Sequence, residues 1–98
     1  MAALLDDNEV RTALESLPGW SRDGDALQRV VPVADDQQDT VERAVAKVSD
    51  EVDHHADIET GEGSMTFRLS THSAGGITGK DVDLAARIDQ LLSGATQD

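Results

Sequence analysis

No cysteine or tyrosine occurs in the 98 residues, and Trp20 and Phe67 are the only aromatic side chains. Without thiols there is no disulfide and no thiolate metal site, and the redox compartment cannot be read from cysteine usage. Lysine is nearly missing as well, with only Lys47 and Lys80. Eight basic residues against twenty acidic ones give a formal net charge of -12. Phosphate backbones are bound by clustered lysine and arginine, so no nucleic-acid partner is expected. No apolar run approaches a membrane span, and residues 2–5 lack a basic start and are too brief for a secretory h-region. The expectation is a soluble, cytoplasmic protein with no membrane partner.

The length suits one compact domain over residues 1–98, able to bury enough apolar surface to fold unaided. Acids run through the whole chain, and aspartate outnumbers glutamate. A hydrated, aspartate-rich surface over a core of small aliphatics suits a halophile cytosol at molar salt, where the Debye length falls to about 3 Å and self-repulsion is screened. An ordinary acidic protein is the alternative, and the salt dependence of folding separates the two.

Asp6 begins an Asp-x-x-Glu capping box with Glu9, and Val10, Ala13, Leu14 and Leu17 follow at helical spacing before Pro18-Gly19. The pattern predicts a short amphipathic first helix. In the next segment, opened by Trp20, Asp23-Gly24-Asp25 supplies turn chemistry and Leu27, Val31 and Val33 alternate with more exposed positions, which predicts a β-hairpin. Pro32 cannot donate to a ladder, so its strand should lie at an edge or leave that side unpaired. Asp35, Asp36 and Asp39 crowd the start of a long helix carrying Val41, Ala44, Val45, Val48 and Val52 on one stripe. Continued at about 100° per residue, that helix runs into the histidines, with His55 on the valine stripe and His54 on its flank. A turn around Gly61 and Gly63 precedes a strand in which Met65, Phe67 and Leu69 alternate with polar residues and which delivers Thr71-His72 at its end.

After a permissive Ser73–Gly76 loop, Thr78 and Asp81 form a second capping box. It opens a helix with Leu84, Ala85, Ile88, Leu91 and Leu92 inward, and the tail from Ser93 is expected to fray. The order α-β-β-α-β-β-α predicts an α+β domain, a four-stranded antiparallel sheet with helices packed on one face. The other face or the edges of such a sheet need cover, which predicts self-association into a homodimer or homotetramer.

His54, His55 and His72 are the only histidines, and they fall within one stretch ending at Asp81. Imidazole is the side chain whose ordinary pKa lies nearest neutrality, so the cluster points to proton handling or metal binding. Asp50 and His54 are four apart, a spacing that on a helix brings carboxylate to ring and favours the cation, with Asp53 and Asp57 adding negative field. A cationic ring can protonate a leaving hydroxide while a second imidazole accepts a proton, so two histidines can run an elimination without metal. Zinc is disfavoured, because adjacent histidines rarely face one metal from a regular helix and a four-apart ligand pair is lacking. A structural reading stays open too: His54-His55 closing a helix whose dipole favours a cationic ring, and His72 capping a strand. The Gly75-Gly76 loop is a weak anion motif, since Asp81 in the first turn of the helix competes with any anion there.

The chain resembles the pterin-4a-carbinolamine dehydratases. Leu17-Pro18-Gly19-Trp20 is similar to the family's entry to its first hairpin, and Leu27-x-Arg29 followed by Val31 and Val33 to its second strand. The signature stands as Asp50, His54-His55, Leu69-Ser70-Thr71-His72, Gly75-Gly76-Ile77-Thr78 and Asp81. The resemblance covers nearly the whole chain. It implies loss of water from a 4a-hydroxytetrahydropterin to give quinonoid dihydropterin, with the pterin as small-molecule partner and no external cofactor. It implies His54 and His72 as the acid/base pair, His55 as the residue that mainly holds the pterin, Asp50 and Asp81 as orienting groups, and Ser70 and Thr71 as lining. Ala56 stands where the family commonly has proline, and Glu62 where it usually has an aromatic, a ring expected near the pocket. A binding or assembly role on the same fold, or action on a pterin related to the molybdenum cofactor, are the alternatives the resemblance allows.

Overall fold

A computed structural model describes residues 3–95. Helix α1 (Asp7–Glu15) starts at the predicted box: Asp6 Oδ1 accepts the Glu9 N–H at 2.8 Å while Glu9 Oε1 accepts the Asp6 N–H at 2.9 Å. Strands β1 (Ser21–Asp23) and β2 (Ala26–Pro32) form the hairpin around Gly24-Asp25. A short 3-10 turn, Asp35–Gln37, leads into α2 (Gln38–Glu51). Strands β3 (Asp57–Gly61) and β4 (Ser64–Leu69) form a second hairpin, and α3 spans Gly79–Ala95. Helix α3 therefore continues past Ser93, where the sequence pattern fades, and residues 96–98 lie outside the described part.

All strand pairs are antiparallel, in the order β1-β2-β4-β3. Side chains alternate across a strand, and the register aligns Leu27 with Leu69, Arg29 with Phe67 and Val31 with Met65 on one face. Leu27, Val31, Met65, Phe67 and Leu69 are buried there against Val10 of α1, Val41 and Val45 of α2, and Leu84, Ala85 and Ile88 of α3. The opposite face carries Gln28, Val30, Thr66, Arg68 and Glu59, none of them buried. Helices on one face and polar residues on the other are the expected architecture of this sheet class.

Pro32 takes the second of its two predicted options. β2 is an inner strand, but β1 reaches only to Gln28, so among the described residues Arg29–Pro32 have no strand paired on that side. Val33 donates its N–H to Gly63 O on the β4 side at 3.0 Å. By alternation, the nitrogen of Pro32 faces the side where β1 has ended and no ladder bond is lost.

Arg29 is the one charge on the inward row of β2. Its Nη1 meets Asp89 Oδ1 of α3 at 2.5 Å, and Trp20 Nε1 donates to the same oxygen at 2.8 Å. Gly19 has φ +93°, and a Cβ there would lie 3.1 Å from Arg29 Nε. The turn thus needs glycine for its backbone angle and for the guanidinium lying over it.

Candidate active site

Helix α2 stops before the histidines. Asp53 adopts φ +54°, the left-handed conformation that closes many helices and that aspartate tolerates better than most residues. His54 donates its N–H to Ser49 O at 2.9 Å and Asp53 donates to Asp50 O at 3.2 Å, the paired bonds of a Schellman closure. This corrects the helical continuation read from the valine stripe. Beyond the closure it is His54 that turns inward, its side chain 11% exposed, while His55 stays exposed.

The four-apart contact predicted between Asp50 and His54 does not form, because the helix that would make it has ended. Asp50 is exposed in the last turn of α2. The ring of His54 instead reaches Asp81 in the first turn of α3, with Nε2 2.5 Å from Oδ1. The Asp81 side chain is fully buried. Its Oδ2 accepts the Thr71 hydroxyl and the Thr78 N–H, each at 2.9 Å. The second predicted capping box thus exists in altered form: Asp81 takes the Thr78 N–H, the Thr78 hydroxyl receives the Lys80 N–H at 3.2 Å, and the other carboxylate oxygen is left for a histidine 27 residues back.

His72 is carried on the turn after Thr71. That turn is closed at its neck by Thr71 N–H donating to Gly76 O at 2.8 Å. His72 is exposed, one residue from the threonine that shares the Asp81 carboxylate with His54. Ser70, half-buried, links β4 to Thr71. The structure therefore joins His54, Thr71 and Asp81 by direct bonds and sets His55 and His72 on the segments adjoining them. Sequence reasoning placed Thr78 in a cap and in the family signature but gave it no part in this cluster.

Glu62 occupies the turn between β3 and β4, at the far end of the hairpin whose open end leads to His54 and Thr71. The missing aromatic is thus remote from the histidines, contrary to the expected location near the pocket. Ala56 is half-buried against the core where the chain enters β3. A groove of about 680 Å³ also lies away from the histidines, bounded by Gln37 and Val41 at the start of α2 and Leu92 near the end of α3. The groove is lined mainly by apolar side chains, whereas the side chains able to give and take protons near neutrality gather at the His54 end. Among the described residues, no group of three or more histidine, aspartate or glutamate side chains is arranged to hold a metal ion, and no helix is long and apolar enough to cross a membrane.

A half-buried imidazole bonded to a carboxylate seated in a helix cap, with two exposed imidazoles on the adjoining segments, is an arrangement that is chemically able to donate and accept protons. The chain belongs to the pterin 4 alpha carbinolamine dehydratase family, whose model matches residues 3–91. A relative from Mycobacteroides abscessus, carried under the provisional name pterin-4-alpha-carbinolamine dehydratase, is 49% identical over 92 residues, covering 92% of this chain and 97% of its own. One of the same provisional name from Nocardia farcinica is 45% identical over 94 residues, covering 90% and 94%. A crystal structure from Brucella melitensis, described as a transcriptional coactivator/pterin dehydratase, superposes with a TM-score of 0.82 at 25% identity over 88% of this chain and 95% of that one.

Proposed function

We propose that this chain is a hydro-lyase that converts a 4a-hydroxytetrahydropterin to quinonoid dihydropterin and water. Heterolysis of the C4a–O bond leaves a cation that the electron-rich ring nitrogens stabilise, so the protein has to protonate the departing hydroxyl and remove one ring N–H proton. His54 and His72 fill these two roles, and His55 holds the pterin. Asp81 and Thr71, buried behind His54, orient that ring. Ser70 lines the site, and Asp50, exposed in the last turn of α2, contributes to binding the pterin and not to orienting His54. The observation that carries the reading is the part-buried bond between His54 Nε2 and Asp81 Oδ1, in a family named for this reaction.

Stopped-flow dehydration of synthetic carbinolamine in high KCl tests it directly. Wild-type protein should turn over, and His54→Ala and His72→Ala should each slow the reaction about 10²-fold or more. Variants as fast as wild type would remove both assignments.

We infer in addition that copies of the chain associate along the open part of β2. Alternation directs the backbone N–H and C=O of Val30 to the side that β1 leaves bare, and its side chain is 57% exposed. The apolar groove lined by Val31, Val33, Val41 and Leu92 lies along the same strand. A homodimer paired there supplies the cover such an edge needs, and a homotetramer would require a second contact. The acidic surface supports the halophilic reading, with the cytoplasm as the compartment.

A further inference from the structure

One carboxylate serves both the cap of α3 and the ring of His54, and counting protons along its partners fixes a direction. Thr71 has a single hydroxyl proton, and it goes to Asp81 Oδ2 at 2.9 Å. The 2.8 Å contact between the Thr71 and Thr78 hydroxyls must then be donated by Thr78. Thr78 Oγ1 in turn accepts the Lys80 N–H. The chain therefore runs one way, from the helix N-terminus through two threonines to the carboxylate. A carboxylate only accepts, and Asp81 Oδ2 already takes two donors, which leaves Nε2 of His54 as the donor to Oδ1.

We propose that Thr78 is a positioning residue for proton transfer: it holds Thr71 and Asp81 so that His54 keeps its proton on Nε2 and exchanges the substrate's proton through Nδ1. This rests on the dehydratase reading for its role in turnover. Thr78 and Asp81 are fully buried, so neither reaches the substrate itself. Thr78 acts through two intermediaries, and the orientation of an acid/base imidazole decides which nitrogen meets the substrate.

The test combines kinetics with two-bond proton–nitrogen NMR of protein labelled at its histidines, which reports which ring nitrogen carries the proton. Wild-type His54, in its neutral form, should show the Nε2–H tautomer. Thr78→Val should mix the tautomers and lower kcat about 10-fold with KM within about twofold, the size expected for one buried hydrogen bond. Thr78→Ser, which restores the hydroxyl, should recover both. A wild-type His54 protonated on Nδ1 overturns the proposal, and that measurement stands even if the valine variant fails to fold. A valine variant with full kcat, or a serine variant as slow as valine, overturns it as well. If wild-type protein shows Nε2–H but does not dehydrate the carbinolamine, the dehydratase reading and the role in turnover fall while the tautomer assignment is upheld.

Discussion

His54 Nε2 and Asp81 Oδ1 lie 2.5 Å apart across 27 residues of sequence, and the bond joins the end of one helix to the start of another. Asp53 closes α2 and releases His54 inward, and Thr78 opens α3 and anchors Asp81. The His54–Asp81 bond is thus held by the same local devices that bound the two helices.

Asp81→Asn should keep the fold and lose the chemistry. The Thr71 hydroxyl and Thr78 N–H both donate, so the amide oxygen takes their side and the NH₂ faces His54. Nε2 must then accept, and the ring proton moves to Nδ1. We expect kcat to fall about 10²- to 10⁴-fold, the range a misdirected acid/base group costs. The melting temperature should fall only modestly, and a variant with wild-type kcat would show that turnover does not depend on how this bond orients His54.

Helix starts and β4 were legible because their signals are local. Asp6 and Glu9 cap reciprocally within one turn, Thr78 and Asp81 sit three apart in the same way, and Met65, Phe67 and Leu69 alternate with polar residues on a strand buried on one face. The end of α2 was not legible. No glycine or proline marks it, Val52 continues the valine stripe, and the left-handed residue is Asp53. β3 carries Ile58 as its sole inward aliphatic, so its position followed from element order more than from its own pattern. The partner of His54 was misread because spacing along a helix offers Asp50, whereas the fold delivers Asp81 from another element. Asp89, 60 residues from Arg29, gave no local signal.

Asp89→Ala should destabilise the protein without touching the histidine site. It leaves the Arg29 guanidinium and the Trp20 indole N–H, both on the inward side of the first hairpin, without their shared acceptor. Removing one partner of a fully buried pair costs about 3–5 kcal/mol, and with side chains 26% and 23% exposed we expect about 1–3 kcal/mol. At 4–8 °C per kcal/mol for a domain of this size, thermal unfolding should shift down by roughly 5–20 °C. An unchanged midpoint would show that water replaces the carboxylate at no cost.

Val30→Lys tests the open edge of β2. An exposed lysine on an edge strand blocks pairing with a second copy, and Val30 faces solvent within the single chain, so the monomer fold should survive. Light scattering should give a dimer or larger assembly for wild type and a smaller species for the variant. Wild-type protein that runs as a monomer at all concentrations removes the association along this strand.

Salt should stabilise the fold strongly. The formal charge of -12 is spread along the chain, while the ion pairs of the described residues are few and several are exposed: Arg22 with Asp7, Arg68 with Asp23 and Arg87 with Asp83. Screening weakens such exposed pairs, which are worth about 0–1 kcal/mol each, but it also weakens the far more numerous repulsions. The second effect dominates because acids outnumber bases 20 to 8. From about 0.1 M to 1 M KCl the screening length drops from about 10 Å to 3 Å. The unfolding midpoint followed by circular dichroism should therefore rise by about 10 °C or more, equivalent to about 1–2 kcal/mol for a chain of this size. A flat curve into the molar range would mean that the acids are too well hydrated to repel one another, and the halophilic reading would go with it.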